Sequence, residues 1–223
     1  MRRKLQWGGA AIEFALALFV LLPLFLGVTG IGLSMLKQMQ TVQLARDAGS
    51  MSARKVNFTL AGNQNILSQV AGSLSLTPGS GTTGTAGAGN VVVILSTLQY
   101  VSGTLCGQAT PPLAANTTAC PNLGQWVFAK QIVVGNSSLG VSRLGTPAAS
   151  IISTTDGTIA INDQCKTASA AVSGSNPWTS STIPSTDLPT LQSQPIYVSE
   201  AIAIGFRLPP FSGGTITYSQ FFF

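Results

Sequence analysis

The chain opens on its longest apolar run. Between Gly9 and Leu36 the only ionisable side chain is Glu13. Those residues, about 28 of them, make a helix of about 42 Å at about 1.5 Å rise, against about 30 Å of hydrocarbon, so the run can span a bilayer with tilt or overhang. From Lys37 to Val56 the pattern turns amphipathic: Leu44, Ala48 and Met51 recur at helical spacing while Gln43, Asp47, Ser50 and Arg54 fall on the other side. The spacing predicts that the helix continues past the apolar run. Leu60 to Leu74 reads as a second, shorter helix. Thr77-Pro78-Gly79 and the Gly/Thr/Ala run to Asn90 read as a flexible loop.

Strand signals follow. Val91 to Leu95, Trp126 to Val134 and Ile151 to Ile161 are rich in β-branched and aromatic residues, the last with Asp156-Gly157 as a hairpin turn. Ile196 to Phe206 alternates, with Ile196, Val198, Ile202, Ile204 and Phe206 on an apolar face and Glu200 set among them as a half-buried carboxylate. The closing Tyr218 to Phe223 predicts a terminal strand that completes the sheet or meets a neighbour. The fold class expected is α+β: a long amino-terminal transmembrane helix, then a head rich in antiparallel strands. The part outside the membrane, about 165 residues, is long enough to bury a core of its own.

Charge fixes the topology. Met1-Arg2-Arg3-Lys4 precedes the apolar run and Lys37 follows it, so the positive-inside rule keeps the amino terminus cytoplasmic and sends the head outward. A secretory signal peptide would need a shorter apolar core, about 7 to 15 residues, and a small-x-small cleavage site behind it, which this run does not provide. Arg2, Arg3 and Lys4 carry three of the charges in a net +5, so the basic balance is mostly a targeting feature. Beyond residue 57 only Lys130, Arg143, Asp156, Asp163, Lys166, Asp187, Glu200 and Arg207 are charged. With no dense basic cluster there, nucleic acid is not an expected partner.

The junction carries the sharpest motif. Gly8 is followed by Gly9-Ala10-Ala11-Ile12 and then Glu13-Phe14, with the apolar run behind. The pattern G-x-x-x-x-E-F resembles the processing site of TadE-like pseudopilins, the type IV pilin-like proteins of tight-adherence pili, over residues 1 to about 56. The resemblance implies cleavage after Gly8 by a prepilin peptidase, leaving Glu13 fifth; a cut after Gly9 would leave it fourth, a poorer fit. It implies as partners the membrane, a pilus assembly platform, and other copies of the chain or other pilin-like subunits. It further implies that the Glu13 carboxylate meets the new amino terminus of a neighbouring subunit, with Phe14 beside it. Opposite charges at about 4 Å in an effective dielectric of about 20 attract by about 4 kcal/mol, enough to set register between helices. The bland reading of Glu13 is a carboxyl that snorkels or stays protonated. Pro23, with Gly27, Gly30 and Gly32 downstream, reads equally as a tolerated kink or as a flexible joint used on leaving the bilayer. YVSEAIAIGFRLPPF also resembles the late strand of TadE-like proteins.

Enzyme readings fail on inventory. The chain has no histidine, which removes Ser-His-Asp and Cys-His arrangements. Ser52-Ala53-Arg54-Lys55 matches S-x-x-K without its partner motifs, and the glycines of Gly84 to Gly89 and Gly135 to Gly140 are spaced wrongly for a phosphate loop or a nucleophile elbow. The sequons at Asn57, Asn116 and Asn136 matter only in a cell that glycosylates them. Of three cysteines, Cys106 and Cys120 flank a Pro/Asn/Thr-rich loop and are the expected disulfide, worth about 3 kcal/mol in the chain-entropy model. Cys165 is left over as a buried thiol or an intermolecular partner. Their separation in sequence argues against structural zinc, and no cofactor or metal is expected.

The sequence therefore reads as a leader (1–8), a transmembrane assembly helix (9–36), its juxtamembrane continuation (37–57) and an extracytoplasmic α+β head (58–223). The resemblance implies that its work is assembly into or with a Tad-type pilus for adhesion or surface colonisation. The expected location is the bacterial inner membrane, then the filament surface. A permanently anchored binding protein that never polymerises is the alternative.

Overall fold

A single helix, α1 (Trp7–Ala53), takes up the first part of the chain and runs unbroken through Pro23 and Gly27. The structure, a computed structural model, describes residues 7–79, 89–173, 193–206 and 214–222. The basic residues Arg2, Arg3 and Lys4, the Gly/Thr/Ala loop over 80–88, and Asp187 and Arg207 lie outside the described residues. α1 ends where Lys55 turns left-handed (φ 64°) and Val56 N–H reaches back to Met51 O at 3.1 Å, a Schellman closure. The second predicted helix is α2 (Ala61–Ala71), continued by a 3₁₀ turn at Gly72–Leu74.

The head is built on a four-stranded antiparallel sheet of β1 (Val91–Tyr100), β2 (Trp126–Gly135), β3 (Ile196–Ile204) and β4 (Thr215–Phe222), in spatial order β2-β1-β3-β4. Two short helices, α3 (Gly103–Gly107) and α4 (Ile161–Lys166), lie in the connections. The alternating pattern that predicted β3 also predicted a one-sided strand, and here the structure differs. Ser199, Ala201 and Ala203 are buried as fully as Val198 and Ile202. The reason is that both faces of the sheet are covered. Val91, Val93, Leu95, Ala201 and Ala203 pack with Leu44, Ala45, Ala48, Phe58 and Leu67 on the helical side. Ile196, Val198, Leu98 and Phe128 pack with Leu144 and Ile159 from the connections on the other. A strand buried on both faces loses the polar half of its alternation.

Two other expectations change. β1 runs on to Tyr100, five residues beyond its apolar stretch, because β2 and β3 pair along that length. A bulge opposite Thr97 and Leu98 skips Ala129. It puts Phe128 and Ile132 on opposite faces of the sheet although they are four residues apart. The Ile151 to Ile161 segment is not a strand pair. A 3₁₀ turn takes Ala149–Ile151, a single bridge joins Ile152 to Ile159, and Ile161 opens α4. Its backbone is spent on β2 instead: Gln131 N–H donates to Gly157 O (2.9 Å) and Ile159 N–H to Ala129 O (2.8 Å), covering that edge at the bulge. The expected turn at Asp156-Gly157 is present. The Phe-rich terminal strand completes the sheet as β4, with Phe221 opposite Val198 and Phe222 opposite Tyr197.

The turn yields two tests. Gly157 sits at φ 75° and a Cβ there would lie 2.7 Å from Gln131 O. Gly157→Ala should therefore cost about 1–2 kcal/mol from the left-handed backbone alone, a fall of several degrees in Tm, measured by thermal unfolding in detergent. Asp156 accepts from Thr158 Oγ1 (2.7 Å) and Thr158 N–H (3.1 Å). These bonds, with Ser153 and the nearby Lys130 charge, hold its carboxyl at about 2, below the ordinary 3.8. A lowered folded pKa means that its stabilisation is complete above pH 3.8 and is lost as pH falls towards about 2. Thr158→Ala, which removes the largest cause, should raise that pKa towards 3.8 in a carboxyl NMR titration; an unmoved midpoint would assign the shift to the other groups.

Candidate functional site

The helix α1 divides into two surfaces near residue 40. From Thr41 onward one stripe belongs to the head core: Thr41, Leu44, Ala45 and Ala48 are fully buried. Gly49 is buried with them, and a side chain there would overlap the Phe222 ring of β4. Before that point the side chains described face outward on every side. Phe14, Phe19, Phe25, Val28 and Met39 are each more than 60 % exposed. The helix passes length and composition criteria for a membrane span with a mean hydropathy of 2.5, and none of the span's most apolar window is buried. A helix that is apolar all round is a membrane or interhelical element rather than a surface helix. Nothing lies within 4 Å of where a Cβ would stand at Gly27, Gly30 or Gly32.

Gly8 and Gly9 stand at the start of the described part of α1. Glu13 follows Gly9 at i+4, hence on the same side of the helix, one turn on. Its side chain is exposed, and so is Phe14. The structure brings these residues together at one end of the apolar surface. It keeps Pro23 and Gly27 inside the same helix, further along.

The remaining residues singled out from sequence lie in the head. Glu200 is not half-buried as expected but 1 % exposed, because the loop before Leu144 folds over the sheet there. Its Oε1 accepts from Arg143 N–H (3.0 Å) and Ser219 Oγ (3.2 Å), tying that loop and β4 to β3. Cys106, in α3, and Cys120 are joined as a disulfide, and Cys165, in α4, is a buried thiol. The argument that these cysteines are far apart does not survive folding, since the three sulfurs lie within 4.8 Å of one another. A groove of about 350 Å³ between the end of α1 and the sheet is lined by Lys55, Phe58, Lys130 and Tyr197 among others.

Sequence reasoning missed the contact patch that carries the head on α1. Its signal was the small residues: Ala45, Ala48 and Gly49 on the helix, and Ser199, Ala201 and Ala203 on β3. It also missed Asn122, whose Nδ2 donates to Gln164 O (2.8 Å) and Thr167 O (2.9 Å), and Asn162, which exchanges two hydrogen bonds with the Thr110 backbone.

The class of protein is thus one with an α+β head and a projecting helix long and apolar enough to cross a membrane. Residues 8–50 match the model of the family described as TadE-like protein. The likeness is confined to that amino-terminal segment, and the family it points to is pilus-associated and pilin-like. The match takes in both surfaces of α1 and stops three residues short of its end. No curated protein and no solved structure matches the chain.

The Glu200 geometry makes a prediction. Glu200→Ala strands the Arg143 N–H and the Ser219 hydroxyl and should destabilise the head by about 1–3 kcal/mol, whereas Glu200→Gln keeps one acceptor oxygen and should lose less. Equal losses in denaturant unfolding would show that the carboxylate does not act through these bonds.

Proposed function

We propose that this chain is a pilin-like structural subunit, cut after Gly8 by a prepilin peptidase and assembled through α1 into or alongside a Tad-type pilus. The observation that carries the reading is the all-round apolar surface of α1 with one acid near its start, on a helix whose far end is locked into the head. Before assembly that surface sits in the bacterial inner membrane; afterwards it packs against the same helix of neighbouring subunits, and the head becomes filament surface used in adhesion or colonisation. The open sides of Gly27, Gly30 and Gly32 let neighbouring helices approach closely, and flexibility near Pro23 would ease the transfer. Glu13 receives the new α-amino group of a neighbour at Gly9, which sets the axial register. The assembly platform and other pilin-like subunits are the partners.

The alternative, a permanently anchored binding protein, is favoured by one feature, the groove beside Lys55 and Lys130. Processing separates the two. Amino-terminal sequencing and intact mass of the protein from membranes and from sheared surface material should find chains that begin at Gly9 in the sheared fraction. Gly8→Ala should abolish that species while the uncut protein accumulates in membranes. Glu13→Ala should leave the head folded and reduce the sheared fraction at least tenfold. Chains that begin at Met1 and stay in membranes would replace the subunit reading with the anchor.

A further inference from the structure

The head holds a thiol that the disulfide does not use, placed against the disulfide itself. Cys106, Cys120 and Cys165 are each 0 % exposed, and their sulfurs lie within 4.8 Å of one another. Their surroundings are Val101, Leu105, Val127 and Ala170, so dissolved thiols are kept out and the one thiol with access to the disulfide is that of Cys165. Backbone anchors hold it there from two sides. Asn122, two residues after Cys120, donates its side-chain amide to Gln164 O and Thr167 O and its N–H to Cys165 O (3.2 Å). Asn162 grips Thr110, four residues after Cys106. The first set fixes the Cys120 segment directly on the Cys165 segment.

We infer that the three cysteines form one exchangeable disulfide, in which Cys165 replaces Cys106 as the partner of Cys120. The thiolate sulfur of Cys165 attacks Sγ of Cys120; the Cys120–Cys165 bond forms, the Cys106–Cys120 bond breaks, and Cys106 leaves as a thiolate that takes up a proton. One thiol and one disulfide stand on each side of the step, so no oxidant or reductant is consumed. What changes is the segment that is pinned. The cross-link moves from α3 to α4 and closes a loop that takes in all of β2, while α3 is left with its non-covalent contacts. Burial pushes the Cys165 thiol up and the neighbouring Lys166 charge opposes this; the attack therefore quickens as pH rises.

The test uses the full-length protein in detergent, without added thiol. Samples held at pH 6 and pH 9 are acid-quenched, digested with pepsin at a pH that freezes exchange, and mapped by mass spectrometry. The expected result is a Cys120–Cys165 peptide pair that rises several-fold at pH 9. A second arm takes Cys106→Ser from an oxidising compartment, denatures it and labels free thiols: a Cys120–Cys165 cross-link with no label is expected. A wild-type digest holding Cys106–Cys120 alone at both pH values, or two labelled thiols per Cys106→Ser chain, overturns the inference.

Discussion

The structure depends on one helix having to satisfy two environments at once. α1 is continuous over 47 residues, about 70 Å at helical rise, and its two ends ask for opposite surroundings. About seventeen large apolar side chains between Ile12 and Met39 are exposed; at about 1.5–3 kcal/mol for each such side chain removed from water, that stretch is driven into lipid or against other helices by tens of kcal/mol. The other end is already committed to the head. Because no break separates the two, the helix transmits the position of the head to whatever receives its apolar part.

That commitment rests on close approach. Ala45, Ala48 and Gly49 bring no bulk to the helix surface, and Ser199, Ala201 and Ala203 bring none to the sheet beneath it. Leu44 and Phe58 share the same core, and the Phe222 ring lies against Gly49. The opposite face of the sheet is closed without a helix. Connections fold over it, held by Glu200 on the Arg143 backbone and by Gln131 and Ala129 on the 157–159 turn. The head is thus a sheet between a rigid layer and a layer of loops, and its polar groups are mostly uncharged. Near-neutrality means that two copies brought side by side would meet little charge repulsion. It also leaves hydrogen-bonding amides, Asn122 and Asn162, to do the joining that ion pairs do elsewhere, including the joint that sets Cys165 against the disulfide.

The sequence by itself determined whatever is periodic or local. The apolar run was legible by its length, its continuation and the second helix by their helical spacing, and the positions of β1, β2 and β3 by short runs of β-branched and aromatic residues. The Gly8 to Phe14 motif was legible because it is contiguous. Only the tertiary structure decided the rest. Ile151 to Ile161 looked like a hairpin by composition, yet its backbone groups were claimed by the bulged edge of β2. Glu200 looked half-buried, since nothing in β3 announces that the loop before Leu144 will cover it. The sulfur cluster and the small-residue contact join residues separated by dozens or more than a hundred positions. Proximity of that kind is set by which faces pack together, and no local pattern along the chain records it.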